Sequence, residues 1–352
     1  MLSLKINQKN LPKKEWQPMS MLLSPTVIAD LKLKNRIALS PMRTYNVQKH
    51  DGILNPLHFA HYGARAVEQV GLLIIEVTAV TPDGRTTDDD LGLWNDEQAK
   101  ELKKLVDFLH SLGTKVGILL GHAGRKAKDA TKVVAPSAIS YNDEYSQPES
   151  LDHAKIKELQ AAFVAATKRA IAAGVDMVEI QGGEGFLIDE FFSPVVNTRE
   201  DEYGGSLANR YRFLQEIITA IRSFYQNSLW VRLSLDEYVK AEEQNKISEW
   251  QTIGNWLKRD GVDCISVTTG GLFDKGPDYK YEGWQVPYAA AMKEAVELPI
   301  AVAGMLFDSK LCEYILETNQ ADLILEAHVF DTNARWVVES KEELEVTSEE
   351  RL

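Results

Sequence analysis

The chemically richest segment of this chain is residues 176–194, DMVEIQGGEGFLIDEFFSP. It is typical of a buried strand that leads directly into a polar, glycine-rich loop. In that loop Gln181 can donate a hydrogen bond, whereas an ionised Glu184 can only accept one. Phe186, two residues later, has no proton to give. The segment therefore predicts an active-site loop that is acidic and short of hydrogen-bond donors.

A second candidate is Arg232, which lies inside the apolar run LWVRLSL. A buried guanidinium costs free energy unless an anion or a ring acceptor pairs with it. Two interpretations stay open. Arg232 forms a structural ion pair with Glu76 or Glu179, or it contacts a ligand at the end of its strand.

A third cluster is GHAGRKA, which contains His122, Arg125 and Lys126. A histidine that follows a buried strand is more often a structural imidazole than a catalytic base. The two cations are unusual in an acidic chain and would help an anionic group or an electron-rich ring to bind. The sequence contains no zinc-type Cys/His spacing, GxSxG elbow or P-loop, so hydrolase and kinase functions have little support.

These side chains must be positioned by the alternation of strands and helices along the chain. Near-continuous apolar runs predict strands at 36–42, 72–80, 115–123, 176–183, 229–237, 264–271, 299–305 and 322–329. Such runs indicate a parallel sheet covered by helices on both faces. The helical patterns between them have clear signals, including Gly113 and Gly174 as stops and Ser206 as a cap. Eight such units predict a single closed (β/α)₈ TIM barrel. An open doubly wound sheet is the alternative, although no GxGxxG motif supports it.

In a barrel of this kind the catalytic groups lie at the C-terminal ends of the strands. This rule selects the segments 40–45, 76–81, 121–126, 181–186, 232–236, 268–271, 303–305 and 326–328. Glycines 270, 271 and 304 at these ends could let backbone N–H groups approach a phosphate, although any tight turn also favours glycine.

Composition limits the possible functions of the 352-residue chain. A formal net charge of −13 repels nucleic acid, so we expect no such partner. Cys264 and Cys312 are expected to be reduced core thiols, which fits the cytoplasm. No apolar run reaches the roughly 18 residues that cross a bilayer. We expect a flexible arm at 1–20, a barrel at 21–340 and an acidic, mobile tail at 341–352.

Over residues 22–336 the chain resembles the old yellow enzyme family of FMN-containing NADH:flavin oxidoreductases, and most of all its bacterial NADPH dehydrogenase branch. The resemblance rests on LKNRIALSPM at 33–42, HFAHYGARAVEQVGLLIIEVTAVTPDGR at 58–85, GHAGRKA at 121–127, FLIDEFFSPVVNTREDEYGGSLANR at 186–210 and VRLS at 231–234. It independently implies the same barrel. It also implies FMN as the cofactor and NADH or NADPH as the reductant.

The resemblance also assigns roles to particular residues. It implies Ser40, Pro41 and Met42 beneath the flavin, Arg232 at the N1/O2 edge of the ring, Gly270 and Gly304 near the phosphate, and Tyr45 facing the substrate. An arginine at that edge stabilises the anionic reduced ring.

Several positions depart from the family pattern. The two donors that hold the substrate carbonyl oxygen are replaced by Gln181 and Glu184, and the proton-donating tyrosine by Phe186. In the flavin cradle, Leu119 replaces a glutamine, Val77 an alanine, Ala327-His328 the phosphate-binding Gly-Arg pair, and Arg43 a cysteine. Loss of one oxyanion donor typically costs about 10²–10³-fold in rate.

These departures leave two main functions open. The first is an FMN-dependent oxidoreductase whose substrate is not a simple enone and is cationic or amine-bearing. The second is a catalytically degenerate barrel that has lost tight FMN binding and serves as a ligand- or partner-binding protein. An unrelated barrel reaction is a third. We expect a homo-oligomer, in which Arg351 could reach a neighbouring site.

The charge at Glu184 needs a partner. The candidates are Arg43 in a paired substitution, Arg125, Lys126 or a cationic ligand. A Glu184–Arg43 ion pair would close the pocket, and a Glu184 free of protein cations would favour an amine substrate.

Overall fold

A computed structural model describes residues 20–240 and 242–350, with residues 345–350 described by their backbone alone. In these residues the strands are β1 (Thr26–Ile28), β2 (Leu31–Leu33), β3 (Ile37–Leu39), β4 (Leu72–Ala79), β5 (Lys115–Gly121), β6 (Val134–Ala135), β7 (Glu149–Ser150), β8 (Met177–Gly182), β9 (Leu229–Ser234), β10 (Cys264–Thr268), β11 (Ile300–Val302) and β12 (Leu323–Glu326).

The α-helices of the same residues are α1 (Pro56–Val67), α2 (Asp96–Ser111), α3 (His153–Ala173), α4 (Leu187–Phe192), α5 (Leu207–Arg222), α6 (Ile247–Arg259), α7 (Val286–Ala295), α8 (Ser309–Glu317), α9 (Val329–Thr332) and α10 (Trp336–Glu350). Short 3₁₀ helices cover Pro82–Gly84 and Gly124–Lys126.

The strands β3, β4, β5, β8, β9, β10, β11 and β12 form a closed parallel barrel in that order. They coincide with the eight predicted strands, so the predicted (β/α)₈ TIM barrel is confirmed. Every residue of β4, β8 and β9 is buried, as continuous apolar runs require when helices cover the outside of a sheet and side chains fill its inside.

Apolar side chains fill the barrel interior, so it is a packed core and not a pore. The interior cluster includes Ala38, Leu72, Ile74, Val77, Leu119, Met177, Trp230, Cys264, Ala301, Leu323 and Leu325. The antiparallel hairpin of β1 and β2, which the sequence pattern did not predict, packs Ile28, Leu31 and Leu33 onto this cluster. Both cysteines are free and buried, as expected.

The helix signals in the sequence act as predicted. Ser206 caps α5 through Asn209, as predicted, and Asn95, which was not predicted as a cap, accepts from the Gln98 backbone N–H and caps α2. Gly174 ends α3 with a left-handed φ of 94°, a conformation that costs glycine little. These caps fix where each helix returns the chain to the next barrel strand.

The ends of the chain were predicted as an arm and a tail. Of the predicted arm at 1–20, only Ser20 is described; its hydroxyl donates to Glu313 at 2.6 Å. At the other end α10 runs on to Glu350, so the boundary predicted at residue 340 falls inside a helix. Arg351 lies outside the described residues. No helix in the described residues is long and apolar enough to cross a membrane.

Candidate active site

A cavity of about 630 Å³ opens at the C-terminal ends of the barrel strands. Its lining includes most of the predicted site residues, namely Ser40, Pro41, Met42, Tyr45, Val77, Glu184, Phe186, Arg232, Gly304, Ala327 and His328. These residues therefore lie together at the end of the barrel where TIM-barrel enzymes carry their catalytic groups. The volume is within the range of small-molecule and cofactor sites.

Three predicted residues lie outside the lining. Gln181 is buried behind Glu184, and Leu119 belongs to the apolar interior. Gly270 lies in the wall, where its carbonyl accepts from the Ser234 hydroxyl at 3.0 Å. Gly271, the next residue, lines the cavity in its place.

Glu184 is held from several sides. Its carboxylate Oε2 accepts from Gln181 Nε2 at 2.9 Å, and its backbone N–H donates to Ser234 Oγ at 2.7 Å. Its backbone carbonyl accepts from Lys126 Nζ at 2.9 Å. The residue adopts a left-handed φ of 57°, which costs a non-glycine residue about 1–2 kcal/mol. Glu184 is thus fixed at the rim with its charge toward the cavity wall.

Two further residues of the lining share this left-handed backbone, Tyr45 with a φ of 53° and Met305 with a φ of 57°. Such backbone strain persists only where the surrounding structure over-determines it, and it concentrates at functional sites. The three residues come from different strand ends. Their convergence on one cavity supports its assignment as the site.

Arg232 forms the ion pair with Glu179 that was one of the two interpretations of the sequence. Its guanidinium lies 3.4 Å from Glu179 and 3.7 Å from Glu184, and the Arg232 and Glu179 side chains are fully buried. Both distances are long for a charge-assisted hydrogen bond. The Nε group is buried and has no hydrogen-bond partner among the described residues. Arg232 is therefore anchored by Glu179, with donor capacity left for a ligand that contacts it in the cavity.

The predicted ion pair between Arg43 and Glu184 is wrong. Arg43 lies 3.6 Å from Asp90 and 5.0 Å over the Tyr45 ring, and Glu184 is paired with Arg232 instead. Arg43 is kept away from Glu184 because the segment that carries it is held elsewhere. Thr44 donates its backbone N–H and its hydroxyl to the Glu76 carboxylate, both at 2.8 Å, which holds this segment against β4.

Glu76 itself is buried next to His58 and Tyr62. Burial raises the pKa of Glu76 to about 7, although the Thr44 hydrogen bonds oppose the shift. Burial lowers the pKa of His58 to about 4, so this imidazole is neutral near pH 7. The cluster supports the site from behind the cavity wall.

Lys126 follows β5 and lines the cavity. Its Nζ donates to the Glu184 carbonyl at 2.9 Å and to the Gly271 carbonyl at 3.0 Å. Burial and the nearby Arg43 charge lower the pKa of Lys126 to about 8. His122, in the same motif, is buried and accepts from the Gly124 N–H at 3.0 Å. Burial lowers the pKa of His122 to about 4, which fits the structural role considered for it.

The far end of the cavity is formed by β11, β12 and the segments after them. Gly304 has a φ of 128°. The Glu326 carboxylate accepts the N–H groups of Leu306 and Ala327, both at 2.8 Å. The His328 side chain lines the cavity, is 68% exposed and lies 3.8 Å from Asp331.

Sequence reasoning missed the loop between β10 and α7. Lys280, Trp284 and Gln285 line the cavity, and the Lys280 ammonium lies 5.6 Å over the Trp284 ring. They follow Thr268 by more than ten positions, so a rule based on strand ends does not select them. An aromatic and a cation inside a long polar loop were the available signal.

The parallel barrel and the polar cavity at the carboxyl ends of its strands define a TIM-barrel enzyme. The sequence profile of the NADH:flavin oxidoreductase / NADH oxidase family matches residues 21–347. The NADPH dehydrogenase of Listeria welshimeri is 44% identical over 307 residues, 87% of this chain and 90% of that protein. The NADPH dehydrogenase of Bacillus subtilis is 42% identical over 303 residues, 86% of this chain and 89% of that protein. The chain belongs to the NADH:flavin oxidoreductase / NADH oxidase family.

Solved structures agree on the fold. Morphinone reductase matches with a TM-score of 0.79 and 24% identity, over 92% of this chain and 89% of that one. A complex of 2-naphthoyl-CoA reductase with 2-naphthoyl-CoA matches with a TM-score of 0.87 and 23% identity, over 92% of this chain and 52% of that one. At this identity the likeness shows the barrel fold alone.

Family membership makes the protein an oxidoreductase with FMN as cofactor and NADH or NADPH as reductant, as the sequence predicts. The residues present fit this group. The cavity is large enough, and Arg232 has a buried donor without a partner. Pro41 and Met42 supply an apolar surface in the lining, and Gly304 lets a ligand approach the backbone closely.

Proposed function

We propose that this oxidoreductase uses an altered substrate pocket and reduces simple enones poorly. The observation that carries the proposal is the contact between Gln181 and Glu184. The Gln181 amide, the donor left in this loop, is directed at the Glu184 carboxylate at 2.9 Å. One of its two N–H groups is used there, and Gln181 is buried and does not line the cavity, so this amide presents no donor to a substrate oxygen. A developing enolate would face a carboxylate, which only accepts hydrogen bonds.

FMN supplies the ring that exchanges hydride with NAD(P)H and substrate. The chain supplies the surroundings of that ring. Ser40, Pro41 and Met42 form the proposed floor, Arg232 the partner of the N1/O2 edge, and Gly304 and His328 the proposed phosphate end. Val77 and Leu119 add apolar bulk where the resemblance expects a smaller residue and a polar one.

We further propose a neutral or anionic substrate. The cationic or amine-bearing substrate expected from the sequence depended on an unpaired Glu184. Arg232 and Gln181 both contact that carboxylate. Meanwhile Lys280 reaches the cavity with no carboxylate within ion-pair distance among the described residues. The local charge thus opposes the acidic charge of the whole chain and supports binding of an electron-poor or negatively charged molecule.

The test replaces both altered donors, Gln181→His with Glu184→His, and compares single-turnover oxidation of the reduced protein by 2-cyclohexenone. Restoring donors is expected to raise the rate roughly 10²-fold. Glu294→His, on the exposed face of α7, is the matched control for the added imidazole. If the unmodified protein already reduces this enone at a rate typical of its relatives, the altered-pocket proposal is wrong.

The degenerate-barrel alternative is favoured by one observation, the replacement of a fixed phosphate arginine by the exposed His328. The absorption spectrum of the purified protein separates the two functions. A yellow protein whose flavin is bleached by NADPH supports the enzyme. A colourless protein that does not take up added FMN supports the degenerate barrel. A cytoplasmic location and a homo-oligomer remain predictions.

A further inference from the structure

The Lys126 ammonium lies beside the position from which the proton donor is missing. Phe186 stands where a tyrosine would deliver a proton, and Lys126 Nζ is 5.6 Å from the centre of its ring. Lys126 and Phe186 both line the cavity. Two backbone carbonyls, of Glu184 and Gly271, accept from the ammonium, which has three N–H groups. One N–H is therefore available to a ligand.

Reduction of a polarised double bond needs a proton as well as a hydride. Tyr45, Lys280 and His328 also line the cavity and carry protons that they could donate. Tyr45 is 52% exposed with its ring under the Arg43 guanidinium at 5.0 Å, and Lys280 and His328 are exposed as well. Lys126 is instead partly buried, and its Nζ is fixed by two hydrogen bonds. Fixed geometry favours Lys126, because proton transfer requires a donor held within hydrogen-bond reach.

We propose that Lys126 is the general acid of this enzyme and donates its Nζ proton to the substrate carbon next to the electron-withdrawing group. The Nζ–H bond breaks and a C–H bond forms with the electron pair that hydride arrival places on the substrate. The resulting neutral amine takes its next proton from solvent at the open cavity. This proposal rests on the proposed function.

The acid strength of Lys126 suits this role. Burial lowers the pKa of Lys126 to about 8, and a general acid works best when its pKa lies near the operating pH. The charged and titratable groups around it are Arg43, Tyr141, Glu184, Asp189 and Glu190. Arg43 favours loss of the proton and the carboxylates oppose it.

The first test needs neither FMN nor turnover. Competitive labelling of amines with acetic anhydride across pH, followed by peptide mass analysis, gives the titration of Lys126 in the protein as isolated. We expect a midpoint about two pH units below the value of about 10.4 for a free lysine. A midpoint near 10.4 would overturn the proposal, whatever the outcome for the proposed function.

The second test uses the FMN-loaded protein and separates its two half-reactions. Lys126→Met is expected to slow oxidation by 2-cyclohexenone by roughly 10²–10⁴-fold while reduction by NADPH changes less than about twofold. Lys126→Arg, which can still donate to both carbonyls but does not release a proton, should be equally slow. Lys128→Met, at an exposed position, is the matched control.

A rescue distinguishes catalysis from a structural role. Adding Phe186→Tyr to Lys126→Met should raise the rate of oxidation by 2-cyclohexenone at least about tenfold. The fall of this rate at alkaline pH should move from near 8 toward the phenol range near 10. If Lys126→Met slows both half-reactions alike and Phe186→Tyr restores nothing, Lys126 only positions the loops and the proposal fails. An unmodified protein that NADPH cannot reduce contradicts the proposed function instead.

Discussion

The substitution Glu190→Gln should make the protein more stable at alkaline pH. Glu190 is buried on α4, where its Oε1 accepts the Arg125 backbone N–H at 2.8 Å and its Oε2 has no hydrogen-bond partner. Burial raises the pKa of Glu190 to about 8 from an ordinary value of 4.5, although Arg125 opposes the shift. Glutamine keeps the acceptor for Arg125 and carries no charge.

The direction in which stability changes with pH follows from proton linkage. Because the folded pKa lies above the unfolded one, the folded state binds more protons than the unfolded state between about 4.5 and 8. The stability contributed by Glu190 is therefore complete below 4.5 and is lost as pH rises through about 8. Each pH unit in this window costs about 1.4 kcal/mol. Because the slope flattens near the folded pKa, the wild type should lose about 2 kcal/mol between pH 6 and pH 8 that the variant keeps.

Urea unfolding of both proteins at pH 6, 7, 8 and 9 measures this difference. The cost of burying the glutamine amide is the same at every pH. It therefore shifts the free energy of unfolding of the variant by a constant amount and does not change its dependence on pH. Glu294→Gln, on the exposed face of α7, should follow the wild type throughout. A variant-minus-wild-type difference that does not change with pH would refute the reasoning.

Three further predictions concern the cavity. Arg232→Lys keeps a cation beside Glu179 but loses the planar fork, so FMN affinity in a fluorescence titration should fall roughly tenfold with little change in Tm; equal affinity would contradict this. His328→Arg should tighten FMN binding about tenfold, since a permanent bidentate cation replaces an imidazole, and His153→Arg should not. Gly271→Ala should lower the free energy of unfolding by about 2–4 kcal/mol, because the new Cβ would lie 2.5 Å from the Glu184 backbone at a φ of 91°. Gly276→Ala, with open space around it, is the control.

The barrel was predictable because its strands are apolar on both faces and its helices have clear caps. The run LWVRLS at residues 229–234 shows this, since it was assigned to a strand enclosed on both faces and all six residues are buried in β9. The hairpin of β1 and β2 was missed because strands of three residues are too short for a periodic pattern.

The sequence predicted most of the residues that lie at the cavity, because their positions at strand ends determine this, but not the contacts among them. Arg232 and Glu184 could be assigned to one cavity mouth, but the pairing of their charges could not. Arg43 was one candidate partner of Glu184, because both follow strands that end at the same barrel mouth. The hydrogen bonds of Thr44 to Glu76 instead hold the Arg43 segment and leave Arg43 beside Asp90. Such a choice depends on side-chain hydrogen bonds across the barrel, which no local pattern encodes.

The contact between the loop after β8 and the loop after β10 has a consequence for engineering. A Cβ at Gly185 would lie 2.0 Å from the Gly271 carbonyl oxygen, and a Cβ at Gly271 would meet the Glu184 backbone. Lys126 bridges the carbonyls of both loops. Each of the two loops therefore depends on the other for its shape. A chimera that imports one loop from a relative without its counterpart should lose its shape, whereas moving the pair with the lysine should carry substrate preference between scaffolds.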